Sequence, residues 1–183
     1  MLDMLKTGPN VTVVIPYKQG DEKDLGPVAT TNYFGEISSD RIIKDKGVIY
    51  FKADGNERGK LGLAWKRVKA FAGSYDANKK LLTVIAFSVP KQEKEYVNSL
   101  WEHQEHPFQG DVLNSYNDGP LEDGSQMGPF YEIESSSPAA FLKPEEGITH
   151  YHRVFRFIGD ETTLDQIAKQ ALGVGVDQIK AAF

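Results

Sequence analysis

No cysteine occurs in the 183 residues, which rules out a disulfide framework and a thiolate metal site. Reducing and oxidising compartments remain equally compatible with that absence. Histidine is scarce, at 4 residues, and none precedes His103. No apolar run is long enough to span a bilayer, so no membrane partner is expected. The opening MLDMLKTGPN lacks the basic start and apolar centre of a secretory signal. A periplasmic or extracellular location would follow only if a longer precursor carried such a signal. Lys and Arg number 21 against 26 Asp and Glu, a formal net charge of −5. With no basic patch, nucleic acid is not an expected partner. Also missing are a GxSxG elbow, a phosphate-binding glycine loop and a dinucleotide fingerprint, and no cofactor is expected.

What is present suits one globular domain over residues 1–183. The chain is 40% hydrophobic and 26% charged, ordinary values for a packed domain of this length. No internal repeat or linker divides it. VTVVIPY, Val11 to Tyr17, is a β-branched run that reads as a buried strand. Further short strands are expected at Thr30 to Phe34, Val48 to Lys52, Leu61 to Trp65 and Lys69 to Tyr75, and within Lys79 to Pro90. Turn-rich segments separate them, as in Lys18 to Asp24 and Asp54 to Lys60. This spacing predicts an all-β sandwich or barrel. Lys91 to Gly110 is polar and reads as a helical turn or an edge strand. Ile148 to Ile158 reads as a strand. After it the period changes: Leu164, Ile167, Ala168, Ala171 and Leu172 form one apolar helical stripe. Thr163 with Gln166 could form a capping box, Gly173 could end that helix, and Asp177 could cap a final turn.

The stretch from Gly110 to Gly147 concentrates the chemistry. Pro120, Pro129, Pro138 and Pro144 exclude a long helix, and Asn117-Asp118-Gly119-Pro120 is a strong turn signal. Strands are expected at Asp111 to Tyr116, Met127 to Glu134 and Ala139 to Leu142. Asn114, Asn117, Asp118, Glu122 and Asp123 offer oxygen acceptors beside the rings of Tyr116, Phe130 and Tyr131. That mixture suits a polyhydroxylated ligand, with rings stacking on sugar C–H surfaces. Glu132 and Glu134 alternate along one strand and share a face, where a carboxylate could serve as a general base. His150 and His152 share a face in the same way. They lack a third ligand at recognisable spacing, and the expectation is two surface or half-buried imidazoles rather than a metal site. HQEH, from His103 to His106, is not a zinc motif. Asn114 to Glu122 fails as a calcium loop because Tyr116 occupies a ligand position; a looser oxygen cage of Asp118, Glu122 and Asp123 is the alternative to a solvated turn.

The block GDVLNSYNDGPLEDGSQMGPFYEIESSSPAAFLKPEEGITHYHRVFRF, with VTVVIPY, GSYDANKKLLTVIAF, YVNSLWEHQ and the closing ALGV, resembles the C-terminal half of an uncharacterised bacterial family. That family has the galactose mutarotase-like (aldose 1-epimerase-like) β-supersandwich. The resemblance implies an all-β, galactose mutarotase-like sandwich, here a partial supersandwich, with one C-terminal helix near residues 163–172. It also implies a carbohydrate ligand, which the acceptors and rings of this stretch, Asn114, Tyr116, Asn117, Asp118, Tyr131 and Glu132, would take. In mutarotases a Glu on the matching strand is the catalytic base, and the matching position is Glu134, with Glu132 the fallback. His150 or His152 would then be the acid. Mutarotase histidines precede this region, whereas this chain has none before Lys91. The expectation is therefore a fragment or shortened member that binds sugar without turnover. A sugar epimerase and a ligand-free structural half-domain are the alternatives.

Overall fold

The computed structural model describes residues 5–183. Two antiparallel sheets face each other across one core, and two helices cover the outside of the larger sheet. In chain order the elements are β1 (Leu5–Lys6), β2 (Val11–Pro16), α1 (Glu22–Leu25), β3 (Ile42–Asp45), β4 (Val48–Lys52), β5 (Gly59–Leu63), β6 (Phe71–Asp76), β7 (Leu81–Phe87), β8 (Leu113–Asn117), β9 (Phe130–Ser135), β10 (His152–Ile158), α2 (Glu161–Leu172) and α3 (Val176–Lys180). The smaller sheet runs β1-β9-β8-β5, and the larger runs β10-β7-β6-β2-β4-β3. The architecture is therefore mostly β, as the strand spacing predicts.

Strand alternation builds two cores from one sheet. On β2, Val11, Val13 and Ile15 join Ile49, Phe51, Ile85, Leu61, Leu63, Leu113 and Ile133 between the sheets. Val14 points the other way, with Tyr50, Tyr75, Leu82 and Val84, against Leu164, Ala168 and Leu172 of α2 and Ile179 of α3. A strand buried on both faces needs apolar residues at every position, which is why VTVVIP reads as a continuous run. Gly73 permits the helix to come this close, since a Cβ there would strike the Thr83 carbonyl and crowd Leu172.

Several boundaries differ from those expected. Thr30 to Phe34 forms only isolated bridges at Thr30 and Tyr33, and Ala139 to Leu142 is irregular. Lys91 to Gly110 is neither helix nor regular strand; a single bridge joins Tyr96 to Gln109. The helix starts at Glu161, before the expected capping box, because the Asp160 side chain accepts a bond from the Thr163 backbone amide. Gly173 does end it, in the left-handed region at φ 77°. The last helix begins at Val176, ahead of Asp177, so the C-terminal region holds two helices rather than one. β3 escaped the sequence reading. It is joined to β4 by Lys46 and Gly47, both at positive φ, as a tight hairpin turn requires.

Candidate functional site

The outward face of the smaller sheet carries polar side chains in two cross-strand rows. Lys60 on β5 lies beside Tyr116 on β8, which lies beside Glu132 on β9. One step along, Gly62 lies beside Asn114 and Asn114 beside Glu134. Their sequence neighbours Leu61, Leu113 and Ile133 fill the core behind. Over the Gly62 end lies Asp111, whose carboxylate occupies the space a Gly62 side chain would need. The Tyr33 hydroxyl donates to Asp111 Oδ2 at 2.6 Å, and the backbone at Thr30 bridges to Gly62.

Burial and charge set the protonation states. Burial, a hydrogen bond to Glu134 and the negative charge of Glu134 push the Glu132 carboxyl up to about 7, against the pull of Lys60. Lys60 has its side chain 12% exposed, with Nζ 3.9 Å from Glu134 Oε1 and over the Tyr33 ring. Asp111 is raised by burial, which outweighs its bonds from Tyr33 and Thr30 and the attraction of Lys60. Tyr33 is raised by its own burial and then by the charge of Asp111. Asn114 is 3% exposed, and its side-chain oxygen is buried without a hydrogen-bond partner. Near neutral pH the face thus presents a carboxylic acid that can donate, a carboxylate and an amide oxygen that accept, and an ammonium that donates. Hydroxyl groups, which both donate and accept, complement such a set.

Of the residues expected at a site, Asn114, Glu132 and Glu134 come together here. Tyr116 adjoins them, but its ring is enclosed by Phe34 and Phe130, at centroid distances of 5.7 and 5.9 Å. Its hydroxyl donates to Asp118 Oδ1 at 2.6 Å and accepts from Arg58 Nε at 3.1 Å, while Arg58 stacks on Phe34. At 4% exposure Tyr116 has no bare face for a sugar. Asp118 is occupied in the same way, its second oxygen accepting from the Gly128 amide. Asn117 and Tyr131 point to the opposite face. Asn117 bonds the backbone of Gly55 and Glu57, and the Tyr131 hydroxyl meets Ser74 Oγ at 2.7 Å inside the core. The sequence grouped consecutive residues as one cluster, whereas a strand sends alternate ones to opposite sides.

His150 and His152 do meet, through a third residue. Ser135 Oγ lies 2.8 Å from His150 Nε2 and 2.8 Å from His152 Nδ1, and Ser88 Oγ lies 3.1 Å from His150 Nδ1. Burial and the neighbouring His150 lower the pKa of His152. Ser135 follows Glu134 on β9 and so faces the other side of the sheet, separating the histidines from the carboxylate pair. Among the described residues, no cluster of three or more His, Asp or Glu is arranged to hold a metal ion. Sequence reasoning missed Lys60, Tyr33 and Asp111. By its turn-rich surroundings Lys60 reads as part of the preceding loop, although a lysine alternating with Gly62 in GKLGL marks the open face of a strand.

The clefts among the described residues lie elsewhere. One of about 220 Å³, lined by Arg58, Asp118, Leu121, Gln126 and Met127, adjoins the Tyr116 end of the face. Another, of about 290 Å³, lies by α3, among Tyr75, Ile179, Phe183, Lys52 and Lys180. It lacks the carboxylate pair and is not where the titrating groups converge.

Over residues 1–183 the sequence matches a family of unknown function, DUF6786, and the chain belongs to that family. No curated protein and no solved structure matches it.

Proposed function

We propose that this member of DUF6786 binds a carbohydrate on the outer face of its smaller sheet. Lys60, Asn114, Glu132 and Glu134 would hydrogen-bond the hydroxyls. The observation carrying this reading is the buried, unpartnered oxygen of Asn114 beside the carboxyl pair. An acceptor left in that state costs about 1–3 kcal/mol, which a ligand hydroxyl would offset once the side chains covering Asn114 move aside. The galactose mutarotase-like resemblance of the sequence supports the same ligand class. The test is a panel of mono- and oligosaccharides followed by NMR shift perturbation. At least one should bind with a millimolar to micromolar Kd, about 4 to 8 kcal/mol. Asn114→Leu should abolish its binding, and shifts should localise to Lys60, Glu132 and Glu134. Failure of every sugar to bind would leave the ligand-free structural half-domain as the better account.

One observation favours a second reading, a sugar mutarotase. Glu132 is held near neutrality beside Glu134, the disposition of an acid–base pair. Glu134 would take the proton of the anomeric hydroxyl while Glu132 gives one to the ring oxygen. The C1–ring oxygen bond then breaks, and closure on the other face returns both protons. In this reading Glu132, not His150 or His152, supplies the acid. Anomer exchange followed by NMR decides: exchange no faster than in buffer for every sugar tried rejects turnover, and binding alone stands.

A further inference from the structure

The open face of the smaller sheet continues past Lys60 to a second cation. Arg58 stands two positions before Lys60, so alternation returns its side chain to the same side, beside Tyr116. It is partly buried, and its guanidinium is fixed from two directions. The group lies 3.8 Å from the centroid of the Phe34 ring, and Nε donates to the Tyr116 hydroxyl at 3.1 Å. That hydroxyl donates in turn to Asp118 Oδ1, while Asp118 Oδ2 accepts from the Gly128 amide. Nε is therefore committed. The edge formed by Nη1 and Nη2 has no acceptor among the described residues. A guanidinium already held in place loses little further freedom when a ligand arrives.

Arg58 lines the cleft of about 220 Å³ together with Asp118, Leu121, Gln126 and Met127. Leu121 and Met127 are both exposed and give the cleft an apolar wall. Gln126 spends its amide nitrogen on the carbonyls of Gly55 and Gly128 and keeps its side-chain oxygen as an acceptor. The turn after Asp118 closes against Arg58 only because residue 119 is glycine, since a Cβ there would strike the Arg58 backbone nitrogen. Asp118 in the same cleft limits the charge that Arg58 can balance. A singly charged planar anion matches the free fork, whereas a dianion would also meet the Asp118 carboxylate.

We propose that the cleft at Arg58 takes the carboxylate of an acidic sugar unit, a uronic acid, bidentate on Nη1 and Nη2. The inference rests on the carbohydrate reading above and adds the charge of the ligand to it. Arg58 and Lys60 lie two residues apart, about 7 Å along the strand, so a ligand anchored at Arg58 extends its hydroxyls toward Lys60, Asn114 and Glu132. The Gln126 oxygen can accept from a hydroxyl of the acidic unit, and Leu121 and Met127 can cover its C–H surface.

The test is a set of matched pairs titrated by NMR and calorimetry: glucose with glucuronate and galactose with galacturonate, plus a hexose phosphate. At least one uronate is expected to bind about 10- to 100-fold more tightly than its neutral partner, the gain of a charge-assisted contact. In the parent protein that uronate, and not the neutral sugar, should shift the Arg58 guanidinium resonances. In Arg58→Gln the two members of the pair should bind equally, a ratio taken within one variant and so insensitive to its stability. Arg58→Lys should keep only a minor part of the preference, because an ammonium lacks the fork. Neutral sugars that bind as tightly as the uronates overturn the proposal and leave the carbohydrate reading in place. So does a preference that survives Arg58→Gln, which would assign the carboxylate to Lys60. A hexose phosphate that binds more tightly than either uronate overturns the choice of a carboxylate. If no member of the set binds, the carbohydrate reading falls and this proposal with it.

Discussion

Asn114 lies directly across the β8–β9 ladder from Glu134, and its amide oxygen has no partner although the residue is 3% exposed. The other flank of Asn114 is Gly62, over which the Asp111 carboxylate is folded. An amide is thus held between two acids in a place where an apolar side chain would be less costly. A group kept against its own stability calls for an explanation, and a ligand that completes its bonding is the one proposed above.

That relationship gives a stability prediction opposite to the usual one for a buried residue. Asn114→Leu keeps the branched outline of the side chain, with some added volume, and removes the orphaned acceptor. It should raise stability by about 1 kcal/mol, within the cost of an unsatisfied buried group. For a chain of this size that is a rise in Tm of about 2–4 °C. Urea unfolding measures it, and a loss of more than 1 kcal/mol would mean that the amide is already satisfied.

The Glu132 carboxyl yields a pH dependence. Its folded pKa, about 7, is above the ordinary 4.5. The folded state therefore holds a proton that the unfolded state releases. The resulting stability is complete below pH 4.5 and is lost as pH rises through 7. Glu132→Gln mimics the protonated form. Its Tm should match the parent near pH 4.5 and exceed it at pH 8, with the difference opening between. Parallel Tm profiles over that range would show that Glu132 titrates normally.

The strands were legible because both larger cores depend on alternation and β-branching, which a sequence displays without knowledge of partners. Val11 to Pro16, Val48 to Lys52 and Leu81 to Phe87 all read through. β3 did not, because IIKD is too short and too polar to carry a period. Three residues of the candidate face are legible in the sequence: Glu132 and Glu134 alternate on one strand, and Asn114 stands among the oxygen acceptors. The rest comes from register. Lys60 and Asn114 stand 54 positions apart, and Asp111 reaches the face only because position 62 is glycine. No local pattern encodes which strand lies next to which. Tyr116 looks like a free stacking ring in the sequence for a related reason: its enclosure by Phe34, Arg58 and Phe130 joins three separate segments.

Gly62 is needed for the space it leaves. A Cβ there would fall within the Asp111 carboxylate and displace Tyr33 from its bond. Gly62→Ala should cost about 1–3 kcal/mol, as overpacking does. It should also disorder the Asp111 end of the face. The Tyr33 ring resonances report this by NMR, and unchanged shifts with unchanged stability would contradict the close packing of Asp111 over Gly62.

Arg67 ties the chain's early loop to the sandwich. It is 0% exposed. Nε and Nη2 donate to the Gly26 carbonyl at 3.1 and 2.7 Å, and Nη1 donates to the carbonyls of Lys18 and Gly20, each at 3.0 Å. The planar guanidinium thus joins both ends of the segment that contains α1. Bonds to a charged donor contribute about 1.5–3 kcal/mol each, so Arg67→Ala should cost about 3 kcal/mol or more. The loss should concentrate in the loop. Trypsin should cut after Lys18 and Lys23 faster than in the parent, while the strands keep their amide protection. Arg67→Lys keeps the charge but cannot fork to carbonyls on two sides, so it should recover only a minor part of the stability. Equal recovery by Lys would mean that charge, not geometry, fixes the loop. An Arg67→Ala variant within 1 kcal/mol of the parent, with the same tryptic pattern, would remove Arg67 as the tie.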